Sequence, residues 1–351
     1  MTTLYLTEDL EDEVASDSSV VLVNGAFNDR NATAVPALHD CGPDADGFFQ
    51  DIMAGLRRPQ KSLPCKYFYD ERGSQLFDAI CELDEYYPTR TETGILQSCV
   101  SEIGERLGDQ CRLVEYGSGS STKTRILLGG VPGVTTYVPV DISRDHLHTT
   151  ACRLSCDYPD LTVMPVCADY TRPFSLPPVT QRVASTAVFF PGSTIGNFDP
   201  HEAREFLEGI AALVGPGGGL LIGVDLKKDP AVLHAAYNDA RGVTAEFNLN
   251  VLRNVNNTLD ADFDLNGFRH HAFYNQDLGR IEMHLVSERD QTVAIGGEHV
   301  RFREAETIHT ECSYKYSLTQ FAALAANAGY TVEQVWTDPQ ELFSVQWLRV
   351  D

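Results

Sequence analysis

Leu113-Val114-Glu115-Tyr116-Gly117-Ser118-Gly119-Ser120-Ser121-Thr122-Lys123-Thr124 carries the strongest chemical content in the chain, an apolar run opening into a glycine-rich turn before a helical pattern. Gly117 and Gly119 permit a tight turn and let a ligand approach main chain where a Cβ would clash. Alone, such a turn is equally an ordinary strand-to-helix connection. Two carboxylates change the balance. Asp141 closes the next apolar run, where an acid accepts both ribose hydroxyl hydrogens. Asp169 closes the third, in Cys167-Ala168-Asp169-Tyr170, placed for an adenine amino group with Tyr170 beside it as a surface for the ring. A nucleoside-bearing cofactor is expected.

Further along, Asn197 follows the fourth apolar run in Gly192-Ser193-Thr194-Ile195-Gly196-Asn197, where an acceptor pocket opens in doubly wound sheets. Glu311 and Ser313 stand two apart in an alternating segment, so an extended backbone turns both to one side and Cys312 to the other, buried and inert. Read singly, Glu311 is a solvated strand residue, Tyr237 a helix-surface tyrosine, Met283 core filler and Tyr86 part of a packed turn. The ten histidines show no ligand spacing, and His270 and His271 would face opposite sides of a strand. No metal is expected.

The elements that must position these residues alternate. Five apolar runs of strand length (CRLVEYG, TTYVPVDIS, LTVMPVCADY, STAVFFPGS, GGLLIGVDL) are separated by helical patterns. They indicate an α/β fold, a parallel, doubly wound, Rossmann-like sheet covered on both faces. Upstream, FFQDIMAGL and GSQLFDAICEL are helical, SLPCKYFYD reads as extended, and the turn at Tyr86-Tyr87-Pro88 runs into another helix. After Asp225 the rhythm breaks: one helical stretch over AVLHAAYNDARGVTAEFNLNVLRNVNNTL precedes alternating segments, an inserted α+β unit. The expected division is an acidic, weakly structured extension over 1–40, a substrate-binding domain from 41–88 plus 227–316, and a Rossmann-like domain from 89–226 plus 317–351.

Composition fits that plan. With 351 residues, 43% hydrophobic and 22% charged, the chain is of globular type. Fifty acidic against 27 basic residues give a formal charge of −23, which disfavours nucleic acid and anionic membranes as partners. Nine cysteines without a CxxC pair suit a reducing compartment. The acidic start lacks the features of a signal peptide, and no run approaches a membrane span, so a cytoplasmic location is expected.

Thr122 occupies the place of the third glycine of a dinucleotide turn, which argues against a nicotinamide oxidoreductase. The order Glu-x-Gly-x-Gly, acid after the second strand, Asp-Tyr after the third, and Leu213-Val214-Gly215-Pro216-Gly217-Gly218-Gly219-Leu220 before the fifth resembles the class I S-adenosylmethionine-dependent methyltransferases. More narrowly, KSLPCKYFYDERGSQLFDAI, LDEYYPTRTETGIL, VEYGSGSSTKTR, PGSTIGNF, LIGVDLKKD, AYNDARGVTAEFNLNVL, RIEM and TECSYKY, spread from Lys61 to Tyr316, resemble the histidine Nα-methyltransferases of ergothioneine biosynthesis. That resemblance implies cofactor contacts at Gly117, Lys123, Asp141, Asp169 and Tyr170, with Gly119 in the same turn. It implies histidine contacts at Tyr86, Asn197, Tyr237, Glu311 and Ser313, with Tyr69, Gly192 and Met283 lining the pocket. Tyr69 and Asn197 are the expected positioning groups for the amine, with no certain general base. The implied reaction is trimethylation of free L-histidine to hercynine; separately, a monomer is expected. Methylation of another small amine or aromatic amino acid, and a catalytically silent sensor, are the rival readings.

Overall fold

Runs of Val, Ile, Leu and Phe with helices between them can bury both faces only as neighbouring parallel strands. The computed structural model describes residues 36–41, 45–119 and 122–351. In it, β1 (Cys111–Tyr116), β2 (Val134–Asp141), β3 (Val166–Cys167), β4 (Ser185–Phe190) and β5 (Gly219–Asp225) lie side by side in the order β3-β2-β1-β4-β5, all parallel. After α1 (Ala45–Leu56), α2 (Glu71–Cys81) and α3 (Tyr87–Leu107), three helices pack on the sheet between these strands: α4 (Thr122–Gly130), α5 (Arg144–Asp157) and α6 (Pro200–Val214).

A second sheet follows the break in rhythm. It contains β6 (Phe268–Asn275), β7 (Arg280–Ser287) and β8 (Thr307–Tyr314) in antiparallel pairing, and Lys61–Ser62 adds a short parallel edge to β8. The chain then returns through α9 (Leu318–Asn327) to β9 (Tyr330–Thr337) and β10 (Phe343–Val350). β10 runs antiparallel to both β5 and β9, and β9 forms the far edge of the first sheet. The hydrophobic interior follows this arrangement. One cluster, including Phe68, Ile80, Phe247, Val251, Met283 and Leu285, lies at the second sheet, and two others lie on the faces of the first.

Gly219 shows how tightly the first sheet meets its returning strand. A Cβ added there would fall within the Trp347 ring of β10. Gly219→Ala is therefore expected to destabilise the protein by about 3 kcal/mol, read as a lowered denaturation midpoint, because the indole is buried in the core packed on the sheet and has little room to retreat.

Four local expectations need correction. The run LTVMPVCADY does not form one strand: Pro165, which has no N–H to donate, divides it into Thr162–Val163 and Val166–Cys167. SLPCKYFYD is not extended but folds into a 3-10 turn over Cys65–Phe68. The single helical stretch after Asp225 is two helices, α7 (Pro230–Tyr237) and α8 (Val243–Leu259), parted before Gly242 in the left-handed region (φ 73°). Finally, the segment expected as a weakly structured extension lies outside the described residues up to 35, but His39–Asp40 pairs in parallel with β3 at the sheet edge.

Candidate active site

All five parallel strands end on one side, and there a cleft of about 2020 Å³ opens. Its floor is the turn after β1, where Gly117 and Gly119 have φ of 72° and 34°, backbone shapes that favour glycine. A Cβ on Gly117 would meet only the Tyr170 ring, so the main chain is open to a ligand. Ser118 Oγ is buried there without a partner among the described residues, as expected of a group that awaits a ligand. Ser120 and Ser121, from the same string, lie outside the described residues.

Asp141 stands at the end of β2, its Oδ1 accepting the Ser143 N–H at 2.9 Å. Burial raises its pKa, opposed chiefly by that backbone N–H. Asp169 lies just past β3 and accepts from Thr171 Oγ at 2.5 Å and from Lys66 Nζ at 3.2 Å. Burial opposes its charge, but Thr171 and Lys66 outweigh it and hold the carboxyl low. Tyr170 stacks on Tyr116, 5.3 Å between centroids and 10° from parallel. Lys123, in the first turn of α4, pairs with fully buried Glu92 of α3 (Tyr87–Leu107), whose Oε2 also accepts the Gly192 N–H at 2.9 Å. Gly117, Gly119, Lys123, Asp141, Asp169 and Tyr170 thus line one cleft.

A smaller cavity, of about 60 Å³, opens off it. Its walls include Tyr69, Tyr86, Gly192, Asn197, Tyr237, Met283, Glu311 and Ser313, every residue expected of an acceptor pocket. Tyr69, Tyr86, Gly192, Asn197 and Glu311 also border the large cleft and so mark the passage between the two. Tyr69 is held by the 3-10 turn before it, which α8 grips: Asn254 donates to the Tyr67 carbonyl at 2.8 Å and Asn250 to Asp70 Oδ1 at 2.7 Å. Tyr86 caps α3, with Pro88 following in the first turn. Asn197 ends a short 3-10 turn (Thr194–Asn197) entered through Ser193 in the left-handed region, φ 57°.

Glu311 and Ser313 share a side by regular alternation, and a β-bulge just before them turns His309 away. Met283 pairs with Glu311 and His284 with His309, leaving Thr310 as the extra residue. His309 and Glu311 therefore face opposite sides although they are two apart. Glu311 and Ser313 join Met283 at the cavity. Burial pushes the Glu311 carboxyl up to about 7, with Lys315 opposing.

The family model for "Histidine-specific methyltransferase, SAM-dependent" matches residues 48–350. The chain belongs to this family. It is 42% identical over 301 residues to the histidine N-alpha-methyltransferase of Mycolicibacterium smegmatis, covering 84% of this chain and 92% of that protein. It is 40% identical over 297 residues to the enzyme of the same name from Mycobacterium tuberculosis, covering 82% and 90%. It is 31% identical over 298 residues to ergothioneine biosynthesis protein 1 of Neurospora crassa, covering 81% of this chain but 33% of that protein. The fold is that of a class I S-adenosylmethionine-dependent methyltransferase.

In this histidine-specific methyltransferase several groups at the site escaped the sequence pattern. Phe77 stands edge-on to Tyr69 at 5.6 Å and to Tyr86 at 6.3 Å, and Tyr86 stands edge-on to Tyr237 at 6.5 Å, so aromatic rings wall much of the small cavity. Glu92 supports Lys123 from a helix where a glutamate reads as solvent-facing. Lys315 lies behind Tyr237 and Ser313, buried to 1% exposure. Cys312 does point away from Glu311, but onto the wall of the large cleft rather than into the interior, with Sγ 3.4 Å from the Asn197 carbonyl. Burial pushes its thiol up to about 12, so it is a weak nucleophile.

Linear spacing also could not show that Glu282, His284 and His309 gather across β7 and β8, with one ligand-type atom from each within 4.8 Å of the others. Their carboxylate is already held by Arg280 at 2.8 Å and Asn275 at 2.9 Å. His270 and His271 diverge as their alternation required: His270 bonds to Asn248 and the Tyr237 carbonyl, whereas His271 stacks on Phe273. No helix among the described residues is long and apolar enough to cross a membrane.

Proposed function

We propose that the chain transfers methyl groups from S-adenosylmethionine to the α-amino group of free L-histidine, three times, giving Nα,Nα,Nα-trimethylhistidine (hercynine), the first step toward ergothioneine. The observation that carries this reading is the small cavity: a carboxylate and a hydroxyl, Glu311 and Ser313, sit with Asn197 and Tyr237 in a space that opens onto the glycine-lined cleft.

S-adenosylmethionine, when bound, supplies an electrophilic methyl on a sulfonium. Gly117 and Gly119 leave room for it, Asp141 accepts its ribose hydroxyls, Asp169 and Tyr170 meet the adenine, and Lys123 takes the amino-acid carboxylate. Asn197 and the Tyr237 hydroxyl hold the histidine carboxylate, and Glu311 accepts an imidazole N–H. The amine then faces the methyl. Its N–C bond forms as the methyl's S–C bond breaks to leave S-adenosylhomocysteine, and the nitrogen gives a proton to solvent before each further transfer. Positioning supplies much of the acceleration in a displacement that disperses charge. Tyr69 and Asn197 fix the amine. Tyr69 is no base, because burial, and after it Glu311, hold its phenol far above the ordinary range. The aromatic walls suit the growing ammonium, which loses a hydrogen-bond donor with each methyl but keeps its attraction to ring faces.

The division into a substrate domain (41–88 plus 227–316) and a cofactor domain (89–226 plus 317–351) belongs to this reading. So does a cytoplasmic monomer with a small-molecule substrate and no nucleic acid, which the −23 charge supports. Methylation of an aromatic amino acid without a ring N–H donor for the carboxylate is disfavoured, because Glu311 would be left unpaired.

The decisive experiment offers each of the twenty amino acids with S-adenosylmethionine and reads products by mass spectrometry. Mono-, di- and trimethylhistidine are expected; their absence ends the reading, and tight histidine binding without turnover would make the protein a sensor. The pH dependence is a finer test. Glu311 accepts the imidazole N–H most strongly when ionised, so the ratio of kcat/KM for the parent to that for Glu311→Gln rises through pH about 7 and then levels. Taking the ratio cancels ionisation of the substrate amine. A ratio independent of pH from 5.5 to 8.5 removes the ionised carboxylate from the scheme.

A further inference from the structure

The histidine carboxylate is an anion, yet neither Asn197 nor Tyr237 carries a charge, and among the described residues no arginine or lysine lines the small cavity. A cation stands one layer back. Lys315 Nζ lies 2.7 Å from Ser313 Oγ, 3.1 Å from Tyr237 Oη and 2.7 Å from Asp225 Oδ2, so each of its three hydrogens has an acceptor. Lys228 Nζ reaches the other oxygen, Asp225 Oδ1, at 2.5 Å, and Tyr87 donates to the same carboxylate at 2.8 Å. Two ammonium groups thus meet one carboxylate at the end of β5. Burial acts against the Lys315 charge, but Asp225 outweighs it and keeps the group protonated. Asp225 balances one of the two ammonium charges; the Lys315 charge adjoins the two hydroxyls that wall the cavity and acts on Glu311 as well.

The effect on those hydroxyls follows from counting donors and acceptors. Each hydroxyl has one hydrogen and two lone pairs, and Lys315 occupies one lone pair on each. Tyr237 Oη and Ser313 Oγ are 2.9 Å apart, so without a ligand one of them donates to the other. When an acceptor enters the cavity, both hydrogens can turn toward it while Lys315 still satisfies both oxygens from behind.

We propose that Lys315 is a positioning residue which orients the Tyr237 and Ser313 hydroxyls as donors toward the substrate and supplies, through Tyr237, the counter-charge of the substrate carboxylate. This rests on the reading of the site as a histidine pocket. In it Tyr237 donates to the carboxylate and Ser313 donates to the bare nitrogen of a neutral imidazole whose N–H faces Glu311. The pocket thereby selects a single neutral tautomer, and it prefers a free amino acid to its amide.

The test compares the parent with Lys315→Met, in which Asp225 keeps Lys228 and Tyr87 as partners, using histidine and histidinamide with S-adenosylmethionine. For histidine, kcat/KM falls about 30-fold, the scale of a lost charge-assisted hydrogen bond, and for histidinamide about threefold or less. Equal losses on the acid and the amide, or no loss on either, overturn the proposal. A second measurement needs no variant: ¹⁵N spectra of ring-labelled histidine bound to the parent with S-adenosylhomocysteine. One protonated and one bare ring nitrogen are expected, and an imidazolium with both protonated overturns the proposal even if Lys315→Met does not fold. A parent that neither binds nor methylates histidine removes the histidine reading itself. Histidine turnover by the parent with equal losses in the variant removes only the role of Lys315.

Discussion

Replacing Glu311 with alanine lowers kcat/KM for histidine about a hundredfold or more while leaving the affinity for S-adenosylhomocysteine within about threefold. The carboxylate is held in the small cavity, where the Lys315 charge partly offsets its burial, and its function there is to accept an imidazole N–H. Without it that N–H is buried against a void, and the cost of an unpaired donor is added to the loss of a charge-assisted bond. The cofactor cleft shares only the rim of this cavity, so its contacts remain. Steady-state kinetics on histidine beside calorimetry with S-adenosylhomocysteine separate the two effects. A parallel collapse of both would mean that Glu311 holds the fold of the passage rather than the substrate.

The same residue carries an opposite expectation for stability. Burial raises the Glu311 pKa from 4.5 to about 7, so the native protein retains a proton that the unfolded chain releases. Below pH 4.5 both states are protonated and nothing is lost. Stability then falls as pH rises to about 7, and above that the ligand-free protein carries a penalty of about 3 kcal/mol. Glu311→Gln removes the charge, so it is expected to be more stable than the parent at pH 8 and no more stable at pH 4. A group that weakens the empty protein but binds the substrate is what a specificity residue is expected to look like.

The sequence is most readable where burial is two-sided. β1, β4 and β5 are almost wholly buried, each around an apolar run, because helices cover both faces of the sheet, and Asp141 and Asp169 stand out by following such runs in β2 and β3. It is least readable where one segment takes its shape from another far away. Cys65–Phe68 turns because Asn250 and Asn254 hold it from α8, and nothing within SLPCKYFYD carries that information. Phe77 has the spacing of an ordinary helix-core residue, yet it borders the cavity. Lys315 at the end of a strand reads as a solvent-facing lysine until β5 brings Asp225 to it. Alternation alone would place His309, Glu311 and Ser313 on one side, whereas the bulge at Thr310 sends His309 to the other. The acceptor residues come from the helix-capping turn at Tyr86, the turn at Asn197, α7 and β8. Singly each has a bland explanation, and only resemblance or three dimensions unites them.

Asp141→Ala is expected to weaken S-adenosylhomocysteine binding by about a hundredfold or more. A ribose presents two adjacent hydroxyls, and a carboxylate at the end of β2 can accept from both, each bond assisted by the charge. Its Oδ1 already accepts the Ser143 N–H, which fixes the carboxylate plane and, with other backbone donors, favours the ionised form against burial. Alanine removes both ribose acceptors and leaves the hydroxyls facing a wall that cannot replace them. The turn at Gly117 and Gly119 stays intact, so the loss falls on affinity rather than on the chemical step. At saturating S-adenosylmethionine, kcat for histidine returns to within about fivefold of the parent, whereas Glu311→Ala is not rescued by more cofactor. These two responses separate the cavities: one variant is corrected by the methyl donor and the other is not. If Asp141→Ala binds S-adenosylhomocysteine as the parent does, the adenosyl group cannot lie across the ends of β1 and β2, and the placement of the amine against the methyl fails with it.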